Sequence, residues 1–270
     1  MNEMTAVMSE QIPGAVDKTI ELFGLPIRKT SLDQLVGDCV AELKARRDGI
    51  GPRRTLRVFA VNPEKVVRSR HDPDLDQTLR QSEILIPDGI GICLGALALK
   101  GLYISRIAGA DLMPALVRAA SYAGLKIYLY GGSPEVNERA AATLQARYPG
   151  LLIAGRADGF GVGLSSDEVI EDIRKTRPDM LFIALGSPAQ EKWVERHVEA
   201  LDVGLIQGVG GTFDVLAGTV KRAPAAFRMT GTEWLYRLGS QPSRWRRQLA
   251  LIDFVSIVVQ ERGTRANDAH

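Results

Sequence analysis

The sequence predicts an α/β protein: a mostly parallel sheet flanked by helices, carrying a helical appendage at its C-terminal end. Three observations lead there. Short apolar runs alternate with helical spacing from about residue 56 to 207, joined by short connections, the pattern of a parallel sheet built from crossover units. Several runs end in glycine-rich turns: Gly89 and Gly91, Gly131 and Gly132, Gly186, and Gly208 with Gly210 and Gly211. From Lys221 onward the chain turns basic and aromatic.

A chain of 270 residues, 45% hydrophobic and 24% charged, can bury one large core, or one core plus a small appendage. Lys and Arg number 34 against 32 Asp and Glu, so the net charge of +2 does not point to nucleic acid. Cys39 and Cys93 lie in apolar helical contexts without CxxC spacing, which leaves a disulfide or metal framework without support and reads as reduced core thiols. Residues 1–16 are partly acidic and lack an apolar h-region, so they do not read as a secretory signal. The longest apolar run, 249–259, is interrupted by Asp253 and falls short of the roughly 18 residues a spanning helix needs. A cytoplasmic protein is expected, associated with the cytoplasmic membrane only at its surface.

In chain order, residues 1–30 read as a loose leader with a short strand at 20–23. Ser31 is a natural N-cap for a helix over 32–45, with Asp33 in its first turn. Arg46-Arg47 and Arg53-Arg54 mark a basic loop, and 56–61 reads as a strand ending at Asn62-Pro63. Helices are expected over 64–69 and 74–81, a strand over 84–86, then helices over 90–99 and 111–123. The strand at 126–130 runs through Gly131-Gly132-Ser133-Pro134 into a helix over 135–147. A strand at 151–154, a helix at 167–176, a strand at 180–185, a helix at 189–201 and a strand at 204–207 complete the series. The predicted units are the leader (1–30), an α/β catalytic domain (31–220) and a basic amphipathic appendage (221–270). In the last, Lys221, Arg222, Arg228, Arg237, Arg244, Arg246 and Arg247 are interleaved with Phe227, Trp234, Tyr236 and Trp245, which suits a phosphate-rich or interfacial partner.

Within the run from Ile84 to Gly91, apolar residues carry a strand to Pro87 and the glycines turn the backbone into the next helix, which leaves Asp88 at the strand's carboxyl end. Ligands of open α/β sheets bind at that edge, where a carboxylate serves as base or anchor. Taken alone, Asp88 also reads as a helix cap. Glycine turns followed by helix N-termini offer N–H groups to a diphosphate, so Gly131, Gly132, Gly186 and Gly210 outline a nucleotide crevice in a Rossmann-like sheet. The run from Gly89 to Gly95 imitates a dinucleotide fingerprint, with Asp111 near the distance of its ribose carboxylate; Asp111 opens a helix instead of closing a strand, which speaks against that role. Asp72-Pro73-Asp74 has the DxD form of metal-holding sugar transferases, but it sits in a helix-opening turn where Pro and Asp are ordinary. His71 and His197 lack partners at ligand spacing, and no metal is assigned. Gln190 and Glu191 fall in the first turn of a helix on the same edge as Asp88, where solvation or the helix dipole explains them equally well.

As an ordered set, the motifs resemble the WecG/TagA/CpsF glycosyltransferases, glycosyltransferase family 26. The matching pieces are Val61-Asn62-Pro63-Glu64, Pro87-Asp88-Gly89-Ile90-Gly91, Arg106-Ile107-Ala108-Gly109-Ala110-Asp111-Leu112, Tyr130-Gly131-Gly132 and Tyr148-Pro149-Gly150. Further on come Gly186-Ser187-Pro188-Ala189-Gln190-Glu191, Gly208-Val209-Gly210-Gly211-Thr212-Phe213-Asp214, Ala217-Gly218, Lys221-Arg222-Ala223-Pro224 and Glu233-Trp234-Leu235-Tyr236-Arg237 through Pro242, Arg244 and Arg247. The resemblance implies inverting, metal-independent transfer of a hexosyl residue from a UDP-sugar to a saccharide on a polyprenyl diphosphate, in exopolysaccharide or other cell-surface polysaccharide biosynthesis, without a cofactor. It implies Asp88 as general base and Asn62, Arg106 and Gln190 as residues that position donor or acceptor. Arg237, Arg244 and Arg247 match the arginines that stabilise the departing UDP, and the glycine turns would hold the nucleotide. The inner membrane surface is the implied partner of the appendage; the run 249–259 reads equally as a membrane-facing patch or the interface of a homo-oligomer. Two positions depart from the pattern: Ala60 where many members have Thr, and Ala189 where many have Lys. UDP-glucose is the expected donor, ahead of UDP-N-acetylmannosamine or its uronic acid. Two other classes stay open, a nucleotide-binding scaffold without turnover and a nicotinamide-dependent oxidoreductase.

Overall fold

The structure is a computed structural model that describes residues 19–161, 165–229, 232–233, 235–236 and 245–268, with the backbone alone for 228–229, 245–249 and 265–268. Strand residues point alternately to two apolar layers. Along β7 (Met180–Ala184), Met180 and Phe182 join one buried cluster, and Leu181 and Ile183 join the other. In β4 (Ile84–Pro87) the same division sets Ile84 and Ile86 against Leu85, and in β8 (Leu205–Gly208) it sets Leu205 against Ile206. Strands buried on both faces need helices on both faces. One layer comes from α1 (Leu32–Arg47), α5 (Gly109–Ala123), α6 (Pro134–Arg147) and α9 (Thr212–Leu216). The other comes from α2 (Pro63–Ser69), α3 (Pro73–Arg80), α4 (Ile90–Lys100), α7 (Ser166–Thr176), α8 (Ala189–His197) and α11 (Trp245–Asp268). A short α10 (Ala225–Met229) leads toward α11.

With β1 (Thr19–Leu22), β2 (Leu25–Arg28), β3 (Leu56–Val61), β5 (Lys126–Gly131) and β6 (Leu152–Ala157), the sheet has eight strands in the order β1-β2-β4-β3-β8-β7-β5-β6. Every pairing is parallel except the β1–β2 hairpin. β3 and β8, remote in sequence, are neighbours at the centre, where the two halves of the sheet meet. Such a switch in strand order opens a crevice at the carboxyl ends.

The sheet starts earlier than a loose leader over 1–30 implies. Leu22, Leu25 and Ile27 are at most 1% exposed, and Ile27 pairs with Leu85 of β4. Phe23 (φ 59°) and Gly24 (φ 72°) make the tight two-residue turn between the strands. β1 is the short strand expected at 20–23; β2, four residues long, carries too little alternation to stand out in sequence. Residues 1–18 lie outside the described residues. Two boundaries also move: α5 begins at Gly109 rather than Asp111, and the helix expected over 189–201 ends at His197 in a 3₁₀ turn.

α11 packs on α2 and α4, burying Phe254 and Ile257 in the same apolar cluster as the sheet, with the Phe254 ring 5.0 Å from that of Phe23. Glycines in α4 admit these neighbours. A Cβ on Gly91 would lie 2.6 Å from Pro63 Cγ, and one on Gly95 would lie 2.6 Å from Phe23 Cζ. Close helix packing therefore accounts for the fingerprint-like run from Gly89 to Gly95.

Candidate functional site

Asp88 follows the last residue of β4, and its backbone N–H donates to the Val61 carbonyl at 2.8 Å, which continues the sheet past the strand end. The N-cap of α4 is Gly89 at φ 90°, with no side-chain cap bond. Asp88 is thus not the cap of the helix it precedes. Its Oδ2 instead accepts the backbone N–H of Gly109, at 3.4 Å, from the first residue of α5. Ala108, the N-cap of α5, supplies no side-chain bond, so a carboxylate from another element meets the positive end of a 15-residue helix. The Ile107 N–H donates to the Pro87 carbonyl at 2.9 Å and draws the Arg106 segment to the end of β4. Burial pushes the Cys93 thiol pKa up, Arg106 pulls it down and Asp88 pushes it up, so both charges act on one small volume beside the first turn of α4.

Asn62, at the end of β3, caps α2 by accepting the Lys65 N–H at 2.8 Å. Lys65 then reaches inward, its Nζ 2.7 Å from Glu191 Oε1, with the two side chains 7% and 0% exposed. Glu191 Oε1 also accepts Gln190 Nε2–H at 3.1 Å, and Gln190 Oε1 accepts the Gly210 N–H at 3.1 Å. This chain ties the ends of β3, β7 and β8 together. Gln190 is 4% exposed, with its amide engaged inside the protein. At the end of β5, Gly131 adopts φ 113°, and a Cβ there would lie 2.5 Å from the Ala184 oxygen. The Gly132 N–H donates to that same oxygen at 3.1 Å. The amides of Gly132 and Gly210 are therefore satisfied within the fold; Gly131 allows the close backbone approach, while Gly132 and Gly210 take up positive φ, 70° and 53°.

The first residues of the appendage reach the same edge. Arg222 meets Asp111 of α5 at 2.5 Å, and Glu233 lies 3.5 Å from Arg106 and 3.9 Å from Arg222. Asp111 is committed to this network, which leaves the dinucleotide reading without its ribose carboxylate. Asp72 caps α3, accepting the Leu75 N–H at 3.2 Å, and lies 3.0 Å from Lys192, whose hydrogen bond lowers its pKa. The DxD element is thus a helix cap with an ion pair. Among the described residues no three His, Cys, Asp or Glu side chains gather in a way that could hold a metal.

The sheet's carboxyl edge thus brings together Asn62, Asp88, Gly131, Gly132, Gly186, Gln190 and Gly210, with Arg106 beside them. Arg237 and Arg244 lie outside the described residues, and Arg247 is described by its backbone alone. Lys65 and Gln207 went unrecognised in the sequence, and Glu233 entered only as part of a matching motif with no role of its own. Gln207 left a signal there, an amide within the apolar strand Leu205-Ile206-Gln207-Gly208.

Fold and geometry together define an α/β protein with a backbone-anchored carboxylate at the carboxyl edge of its sheet. The family model described as glycosyl transferase WecG/TagA/CpsF family matches residues 20–268. A relative from Bacillus spizizenii (strain ATCC 23059 / NRRL B-14472 / W23) is 33% identical over 209 residues, 77% of this chain and 80% of the relative. One from Bacillus subtilis (strain 168) is 34% identical over 204 residues, 76% and 79% of the two chains. Each is named N-acetylglucosaminyldiphosphoundecaprenol N-acetyl-beta-D-mannosaminyltransferase. The chain belongs to the WecG/TagA/CpsF family of glycosyltransferases.

Proposed function

We propose that this protein transfers a hexosyl residue, with inversion, from a UDP-sugar to a saccharide carried on a polyprenyl diphosphate. The observation that carries the reading is the Asp88 carboxylate, held by the Gly109 N–H at the carboxyl edge, with the Arg106 segment drawn to the same strand end by the Ile107 N–H to Pro87 carbonyl bond. Asp88 takes the proton of the acceptor hydroxyl as the oxygen attacks the anomeric carbon, and UDP leaves from the opposite face. Negative charge building on the diphosphate needs cations, a task suited to Arg237, Arg244 and Arg247. Glu233, shared by Arg106 and Arg222, supports an appendage that meets the site just ahead of Arg237. Asn62 and Gln190 act by holding the turns after β3 and β8 in register.

The names of the two relatives favour N-acetylmannosamine over glucose as the transferred sugar, and N-acetylglucosamine on undecaprenyl diphosphate as the acceptor. Ala60 bears on this choice, because its Cβ lies only 3.5 Å from where a Gly109 Cβ would stand, close to the base. No helix among the described residues is long and apolar enough to cross a membrane. Ile252, Val255 and Val259 of α11 and Leu94 and Leu97 of α4 are exposed on two helices that pack together, which supports peripheral contact with the bilayer that holds the acceptor.

The test is UDP release over a panel of UDP-hexoses, with and without EDTA, using a short-chain polyprenyl diphosphate sugar as acceptor. Acceptor-dependent release that survives EDTA is expected, strongest with UDP-N-acetylmannosamine. No release with any donor, despite measurable UDP binding, would favour the non-catalytic scaffold. The arginine role is tested by Ala replacements in the full chain, since cutting after residue 220 would also strip Phe254 and Ile257 from the core.

A further inference from the structure

Gln207 is an amide in an otherwise apolar position. It lies in central strand β8, 1% exposed, between β3 and β7. It shares a face with Leu205, the face covered by α5. Its Nε2–H donates to the carbonyl of Gly109 at 3.2 Å. Its Oε1 is buried and has no hydrogen-bond partner among the described residues. A buried, unsatisfied acceptor destabilises a fold, and an unbranched apolar side chain would fill the site without that cost. Stability therefore does not explain the amide, so the explanation falls to its other end.

Gly109 is the residue whose N–H, in the peptide it shares with Ala108, holds Asp88 Oδ2, and whose carbonyl, in the next peptide, is held by Gln207. The N-cap residue of α5, Ala108, supplies no side-chain bond to its first turn. A Cβ on Gly109 would stand 3.5 Å from Ala60 Cβ and 4.0 Å from Asp88 Oδ2, so the peptide is in van der Waals range of both strand ends. We propose that Gln207 is a positioning residue for the catalytic carboxylate. Its amide pins the Gly109 carbonyl and so the residue itself, whose N–H in the preceding peptide sets where Asp88 points. The inference rests on Asp88 being the base of the transfer reaction. Gln207 touches neither substrate, and its effect passes through α5. A base displaced by a fraction of an ångström loses rate while the binding surface stays intact.

Gln207→Met in the full chain removes both ends of the amide at similar volume. The expected result is a fall in kcat on the order of 10-fold, with donor KM, UDP affinity and UDP stoichiometry by calorimetry within about 2-fold. The thermal midpoint should equal or exceed that of the parent, a pairing that a merely structural role does not produce. Gly109→Pro breaks the relay at its other link. Position 109 opens α5, where Pro is favoured, and Ala108 (φ −77°, ψ 134°) already has the extended backbone a residue before Pro requires. This variant loses the N–H to Asp88 and should lower kcat on the order of 100-fold, with UDP binding retained. In an Asp88→Asn background, Gln207→Met should add no further loss, because its route to the reaction is already cut. Full kcat in Gln207→Met, or a loss that multiplies with that of Asp88→Asn, overturns the proposal. If Asp88→Asn itself leaves turnover unchanged, the assignment of the base fails instead.

Discussion

At the amino end of β3, Arg57 lies 3.0 Å from Glu83 and 3.1 Å from Glu195, with side chains 14%, 23% and 32% exposed. Just past the other end of the same strand, Lys65 and Glu191 pair at 2.7 Å with exposures of 7% and 0%. The buried polar side chains toward this second edge include the larger ones, Lys65, Asn137, Gln190, Glu191 and Gln207, whereas those elsewhere are the small hydroxyls of Thr30, Ser69, Thr78 and Ser82. The amino edge carries an open cleft of about 970 Å³ beside Lys126, Arg174, Arg177 and His197. Its lining is exposed or half-exposed throughout. Solvated charge is inexpensive and specifies little; desolvated polar groups are costly and hold geometry. Buried polarity, rather than the volume of a cleft, distinguishes the working edge of this sheet.

Four measurements sharpen or break that contrast. The largest effect is expected at the working edge itself, where Asp88→Asn should lower transfer on the order of 10³-fold, the scale of a lost general base, with UDP affinity unchanged by calorimetry. Retained turnover would remove the base from Asp88. Next comes the buried pair. Glu191→Leu strands the Lys65 ammonium and should cost about 3–5 kcal/mol in urea denaturation, while Lys65→Met combined with Glu191→Leu should recover most of it. At the amino edge, Arg57→Met should cost only about 1 kcal/mol by the same measurement and leave transfer unaltered. A loss as large as that of Glu191→Leu would erase the distinction between the edges.

The smallest effect concerns the thiols. Burial pushes Cys39 up to about 12, with Glu42 and Asp38 adding to it. Burial also raises Cys93, but there Arg106 opposes the rise. Alkylation of the folded protein near pH 9.5, read by mass spectrometry, should therefore label Cys93 before Cys39. A raised thiol pKa favours the folded state below the unfolded value, about 8.5, and that contribution disappears as pH climbs through the folded value. Stability should accordingly decline between about pH 9 and 12, and Cys39→Ala should flatten the decline.

Legibility followed the range of the interactions. Ser31 was readable as a cap because its partner, Gln34, lies three residues away, and the capping box forms. Asp88, Asn62 and the glycine turns were readable because each sits where an apolar run stops. Gln190 was readable as a member of the edge, but the engagement of its amide with Glu191 and Gly210 was not. The first strand of the hairpin was readable at 20–23, but β2 and its pairing with β4 escaped because four residues hold barely two periods of alternation.

The sequence by itself determined the alternation of strands and helices, the parallel sheet, the family and the carboxylate at the end of β4, all of which are written in local periodicity and in motifs of a few residues. Packing in three dimensions settled what each polar group does. It gave Asp111 to Arg222, Asp72 to Lys192, Lys65 to Glu191 and Gln207 to the peptide that holds Asp88. These partners lie 98 to 126 residues apart in the chain. A hydrogen bond acts over about 3 Å whatever the separation in sequence. Which distant groups come within that reach is set by strand order and helix packing, and no local pattern encodes it.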